Sequence, residues 1–230
     1  MDHPVVSREE WLDARKALLA RERAMTHQLD VLRAERRQLP WVRIEKPYVF
    51  EGPEGRCTLA DLFGERSQLV IYNFMLTPGS DSVCRGCSFI ADHVDAARQH
   101  FEHADLSFVA VSRVPLRRIE EVKSRMGWTF PWVSSHGTDF NFDFGVSFAP
   151  EDIAAGRAVY NYGEVLKESQ DMFGAHIFMK DESGAVFHTY STFRRGAELL
   201  MGALNWLDLA PKGRNEGAGA MSWVRLHDQY

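Results

Sequence analysis

Gln68-Leu-Val-Ile-Tyr-Asn-Phe-Met75, then a polar loop carrying Cys84-Arg-Gly-Cys87, then Ser88-Phe-Ile-Ala-Asp-His-Val-Asp-Ala-Ala-Arg-Gln-His100, is the stretch that decides the reading of this chain. The first segment is an apolar run of strand length, and the last has helical periodicity. The cysteine pair falls at the junction. Ser80, Asp81, Arg85, Gly86 and Ser88 surround it with polar or small residues, so two buried structural cysteines are the poorer reading. A helix start offers unpaired N–H groups that stabilise a thiolate, and the charge of Arg85 adds to this. Cys84 is therefore the expected nucleophile, with Cys87 close enough to resolve a mixed disulfide. A C-x-x-C pair in a strand-to-helix setting is the redox signature of a thioredoxin-like fold.

The flanking sequence supplies the rest of such a fold. Trp41–Glu45 and Tyr48–Phe50 read as short strands, and Gly52–Gly55 as a turn. Thr58 caps a short helix, Leu59–Phe63, ended by Gly64. The cysteine helix is expected to run unbroken to His100. Leu106–Ser112 is an apolar strand of the parallel type. Pro115 opens a helix that Gly127 closes. Ile177–Lys180 and Ala185–Tyr190 flank the turn Asp181–Gly184 as a hairpin, and Ala197–Leu209 is expected to be one last helix. The order βαβα, hairpin, α is that of a mixed α/β sheet with helices on its faces.

Residues 1–40 read as an N-terminal helical arm. Ser7 and Glu10 form a capping box, and Trp11, Leu18, Met25 and Leu32 recur every seventh position. Arg21 and Gln28 interrupt the stripe, leaving two readings, amphipathic helices lying on the domain or the arm of a homodimer. Residues 41–212 are the expected α/β domain. Residues 213–230 are expected to be a glycine-rich linker and an aromatic, charged tail.

Composition narrows the function classes. The 230 residues are 45% hydrophobic and 26% charged, with a net charge of −5. That is ordinary globular usage with no basic field for nucleic acid. No apolar run reaches the length of a membrane span, and the N-terminus lacks the pattern of a signal peptide. Three cysteines are too few for a disulfide-stapled secreted scaffold. A cytoplasmic dithiol is the expectation.

The landmarks Cys84-Arg-Gly-Cys-Ser-Phe89, Val109-Ala-Val-Ser-Arg113, Met126-Gly-Trp-Thr-Phe-Pro-Trp-Val-Ser-Ser135, Asp139-Phe-Asn-Phe-Asp-Phe-Gly145 and Val186-Phe-His-Thr-Tyr-Ser-Thr192 carry a resemblance over nearly the whole chain. It is to a bacterial family of thioredoxin-like proteins long held as a domain of unknown function and labelled predicted dithiol–disulfide oxidoreductases. The resemblance implies thiol–disulfide exchange with a thiol or disulfide substrate and no required cofactor. A more distant resemblance is to peroxiredoxins, through Phe130-Pro-Trp-Val-Ser-Ser135 and the length of the loop before Cys84. The chain departs from them twice. Asp81 stands where they place a threonine, and Phe173-Gly-Ala-His176 lacks their arginine.

Counting back from Gly184 places His176 where thioredoxins carry the cis-proline that faces the cysteines. Cys84, Cys87 and His176 would then form a soft ligand set for copper, or for zinc. Copper-handling proteins of the thioredoxin fold resemble this arrangement. In that alternative the chain is a metalloenzyme, open to oxygen-dependent oxidation of a thiol. The bland alternative is that His176 packs near the pair and tunes it. His93 and His188 are expected to be packed or hydrogen-bonded residues, and Cys57 a buried small one. The aromatic run from Trp128 to Phe148 is expected to be mostly core or dimer contact, with some of it walling a pocket beside the cysteines.

Overall fold

The computed structural model describes residues 3–166, 168–217 and 219–230. It divides into two compact units, Met1–Pro40 and Trp41–Tyr230. The first is a single helix, α1 (Arg8–Arg37), opened by the Ser7–Glu10 capping box. None of its described residues is buried, and Trp11, Leu18, Met25 and Leu32 are all exposed. No helix among the described residues is long and apolar enough to cross a membrane.

The second unit is built in chain order from β1 (Val42–Arg43), β2 (Val49–Gly52), β3 (Gly55–Thr58), β4 (Gln68–Asn73), α2 (Arg85–Ala91), α3 (Asp95–His103), β5 (Leu106–Ser112), α4 (Leu116–Met126), β6 (Trp132–Ser134), α5 (Phe140–Asp143), α6 (Pro150–Ala154), β7 (Val159–Tyr160), β8 (Glu164–Val165), β9 (Gly174–Lys180), β10 (Val186–Thr192) and α7 (Gly202–Asp208). Among the described residues, eight strands form one sheet in the order β1-β10-β9-β4-β5-β6-β2-β3, and β7 pairs with β8 apart from it. β4, β5 and β6 are parallel, joined by helical crossovers, and β9 runs antiparallel to β4 and β10. This is the mixed α/β sheet of a thioredoxin-like fold.

Strand alternation sorts the core into two faces. Tyr72, Phe108, Ala110 and Ala175 pack with Cys87, Phe89, Ile119 and Trp132 on one face. Leu69, Ile71, Val109, Val111 and Phe178 pack with Phe50, Phe63 and Phe140 on the other. The tail joins the first face, with Val224 and Leu226 nearly without solvent contact. Arg125 grips Asp228 through both carboxylate oxygens, and His227 pairs with Asp92 at 2.6 Å.

Two helices expected to be continuous are broken. The cysteine helix stops at Ala91 and resumes at Asp95. Here the His93 ring donates from Nδ1 to the Phe89 carbonyl, 2.6 Å away, while backbone N–H groups of His93 and Val94 reach only three residues back. The final helix is likewise split, into a 3₁₀ turn over Arg194–Leu200 and α7. The same His93 ring causes the second break, accepting the Ala203 N–H at Nε2, 3.0 Å away, while Met201 turns into the core. One imidazole thus fastens the start of α7 to the end of α2, and its two contacts fix the tautomer with the proton on Nδ1.

Candidate active site

The loop after β4 brings the chain back over the first face and ends at Cys84, which caps α2 with extended backbone angles of φ −63° and ψ 113°. Its sulfur accepts the backbone N–H of Cys87 at 3.2 Å. Thiol sulfur thereby takes the place usually held by a Ser or Asp oxygen. Cys84 is half-buried, whereas Cys87 is 1% exposed and faces the core. Both are free thiols, within hydrogen-bonding reach of each other. The Cys87 sulfur accepts the Met75 N–H at 3.5 Å.

These contacts split the two thiols. Cys84 is brought down to about 7, chiefly by the hydrogen bond from the Cys87 thiol, then by the N–H groups of Cys87 and Gly86 and the charge of Arg85, against the opposing effect of burial. Burial pushes Cys87 up, and its proton is further held by donation to Cys84. The arrangement can keep one sulfur anionic at the start of α2 and the other protonated behind it.

Three residues at this site were not singled out from the sequence. Tyr72, on β4 beneath α2, is fully buried, and its hydroxyl lies within reach of the Cys87 sulfur. Among the described residues that hydroxyl forms no hydrogen bond in this structure. Its period-2 relation to Val70 and Phe74 was the available signal. Met221 and Trp223 come from the tail. The Met221 methyl and the Cys84 sulfur lie on the same side of Gly86, at 3.8 and 4.0 Å from where a Cβ there would sit. Trp223 packs edge-on against Phe89 at 5.7 Å. Nothing in the tail's sequence periodicity signalled either contact.

Arg85 is exposed, with its charge acting on Cys84. Asp81 is exposed as well, and its backbone carbonyl is bound by Arg118. Cys57 is half-buried, its thiol directed to the Phe50 carbonyl and pushed up by burial.

His176 is not beside the cysteines. It pairs with Ile71, so it projects from the second face, while its neighbour Ala175 packs with Cys87 on the first. Cys84, Cys87 and His176 therefore lie on opposite sides of one sheet and do not make a ligand set. No group of three or more His, Cys, Asp or Glu among the described residues is arranged to hold a metal ion. His176 is completely buried and held to about 3, by desolvation first and then by His188, so its ring is neutral. Nor does the whole aromatic run gather by the cysteines. Trp128, Phe130 and Trp132 do pack on their face, but Phe140 and Phe144 lie on the other.

The chain belongs to the bacterial proteins of unknown function DUF899, whose profile matches residues 1–230. No curated protein matches it. Among solved structures it is similar to the peroxidoxin BcpB of Mycobacterium tuberculosis, with 14% identity, a TM-score of 0.47, and 74% of this chain and 97% of that one covered. A PrxQ mutant from Xylella fastidiosa is similar at 14% identity and a TM-score of 0.46, covering 73% and 94%. The mitochondrial 2-Cys peroxiredoxin of Plasmodium falciparum is similar at 14% identity and 0.43, covering 74% and 94%.

Proposed function

We propose that the protein is a thiol–disulfide oxidoreductase, with Cys84 as nucleophile and Cys87 as resolving thiol. One observation carries the reading. The Cys84 sulfur, partly buried, accepts an N–H at the start of α2, and Cys87 is buried directly behind it. In the reduced protein the Cys84 thiolate attacks a substrate disulfide. A Cys84–sulfur bond forms, the substrate S–S bond breaks, and the leaving thiolate takes a proton from water. Cys87 then loses its proton and attacks the Cys84 sulfur. The second substrate thiolate leaves and is protonated, and a Cys84–Cys87 disulfide remains. Two electrons pass to the substrate, and the reverse sequence oxidises a dithiol. Arg85 supports the thiolate, and Tyr72 donates toward the Cys87 sulfur as that group ionises.

Mass spectrometry after mixing with hydroxyethyl disulfide tests this reading. Wild-type protein is expected to lose two hydrogens and end as the internal disulfide. Cys87→Ser is expected to stop at the mixed disulfide on residue 84, and Cys84→Ser to remain unmodified. Modification of Cys87 ahead of Cys84, or a native protein inert to the disulfide, would overturn it.

A further inference from the structure

The second face of the sheet carries a cavity of about 420 Å³ that the cysteine chemistry does not use. Two of the stretches that carry the family resemblance converge on it, 139–145 through Asp143, Phe144 and Gly145, and 186–192 through His188 and Ser191. A bulge in β10 creates this convergence. The register with β9 shifts between His188 and Tyr190, so that His188 lies opposite Phe178 and Ser191 opposite His176. Residues three apart, which an unbroken strand would send to opposite faces, share one face here. The Ser191 hydroxyl consequently sits 2.7 Å from His188 Nε2 and 2.7 Å from His176 Nδ1.

Proton positions in this relay follow from its partners. His188 Nε2 also lies 3.1 Å from the Tyr190 carbonyl, which can only accept, so Nε2 carries the hydrogen. Ser191 accepts from His188 and donates to His176. His188 Nδ1 is left as a lone-pair acceptor, with no donor on it among the described residues. Burial holds both rings in the neutral form.

The remaining walls are aromatic and apolar. Tyr48, Phe144, Tyr162 and Phe193 supply rings, and Phe144 meets His188 edge-on at 5.3 Å. The one carboxylate, Asp143, is already matched by Lys46 at 2.6 Å and by the Tyr48 hydroxyl at 2.7 Å. A ligand cation would compete with Lys46, and an anion would meet Asp143. Asn161 and Tyr162, both on the wall, hold positive φ angles of 48° and 61°. For a tyrosine that is a costly conformation of the kind concentrated at functional sites.

We propose that this cavity binds a small uncharged aromatic molecule bearing a ring hydroxyl or ring N–H, which donates to His188 Nδ1 and packs among the four rings. The volume is within the range of small-molecule sites, about 300–1,000 Å³. The site is independent of the cysteine pair, so its occupancy is testable whatever the redox activity.

The experiment is ligand-observed saturation-transfer NMR with titration, on the full chain, using p-cresol and indole as probes and cyclohexanol as the aliphatic comparison. Both aromatic probes are expected to bind saturably at about 1 mM or tighter, and cyclohexanol at least about tenfold more weakly. Val159→Trp, at a wall position 48% exposed, fills the mouth without touching the core and is expected to abolish binding. His188→Phe is expected to weaken it by about tenfold or more. Unchanged alkylation of Cys84 in both variants reports an intact fold. If His188→Phe fails that check, Val159→Trp decides alone. Absence of saturable aromatic binding, equal binding of cyclohexanol, or undiminished binding by Val159→Trp would overturn the proposal.

Discussion

The reactivity of Cys84 should cross that of an ordinary cysteine as pH is varied. With its thiol at about 7, half of the Cys84 population is thiolate at neutral pH. A free cysteine near 8.5 has about 3%. Thiolate abundance is not the whole effect, because a less basic sulfur is a weaker nucleophile. With a Brønsted coefficient of about 0.45, a fall of about 1.5 units costs about fivefold in intrinsic rate. The product of the two gives Cys84 an advantage of about sixfold at pH 6 and about threefold at pH 7, and makes it about fourfold slower than the free thiol at pH 9. The curves cross near pH 8. The assay is the rate of iodoacetamide incorporation at residue 84 in a Cys57→Ser background, followed by peptide mass against an unstructured blocked cysteine peptide, whose thiol ionises near 8.5, in the same tube. Ratios between pH values matter more than absolute rates, since partial burial slows every point alike. A ratio constant across pH would mean that the Cys87 thiol, the N–H groups of Cys87 and Gly86 and the Arg85 charge do not together favour the thiolate. A midpoint above 8.5 would mean that burial wins.

Replacing Tyr72 with Phe removes the donor aimed at Cys87, and a hydrogen bond to a charged group is worth about 1.5–3 kcal/mol. Closure of the internal disulfide from a preformed mixed disulfide should slow by about tenfold or more, while the pH profile of Cys84 alkylation keeps its shape. Asp171→Ala strands the Arg113 guanidinium, held at 2.9 and 3.0 Å with only 18% of its side chain exposed. Urea denaturation should show a loss of about 3–5 kcal/mol. His176 is kept neutral in the fold down to about 3, whereas an unfolded histidine binds a proton near 6.5. Its contribution is therefore constant above 6.5 and declines below it, giving a protein about 2 kcal/mol less stable at pH 5 than at pH 7.5. His176→Phe should flatten that slope, and a wild-type slope already flat over this range would refute the assignment.

The cysteine site was legible because its determinants are local. Strand, polar loop, two thiols and helix start follow one another within residues 68–91, and each has its own sequence signal. β5 and α4 were legible for the same reason, one from the apolar run Phe108–Val111 and the other from Pro115 and the left-handed Gly127. What failed was set by distant partners. The helix broken at Asp92 and the one broken at Met201 have no proline to mark them. The breaks come from one histidine ring that binds a carbonyl in its own helix and an N–H 110 positions away. The tail gave no periodic signal because Met221, Trp223, Val224 and Leu226 pack as an irregular segment rather than along a helix or strand face.

The misplacement of His176 shows why counting alone cannot put a residue at an active site in a sheet protein. Strand side chains alternate, so an error of one position moves a residue through the sheet. Ala175 and His176 are adjacent, yet one belongs to the cysteine face and the other to the opposite one. Counting along β10 is less secure still, because the bulge after His188 inverts the parity of everything beyond it. That inversion brings Ser191 between His188 and His176. The imidazoles that a parity count would have scattered are gathered into one relay, and the ligand set that a count had gathered is scattered. The protein thus carries polar chemistry on both faces of one sheet, separated by the backbone of β9. An occupant of the histidine cavity could influence the thiols only by moving that strand, since Ala175 is the link between His176 and the packing around Cys87. The two sites are accordingly expected to respond to mutation separately, with Val159→Trp silent at Cys84 and Tyr72→Phe silent toward p-cresol.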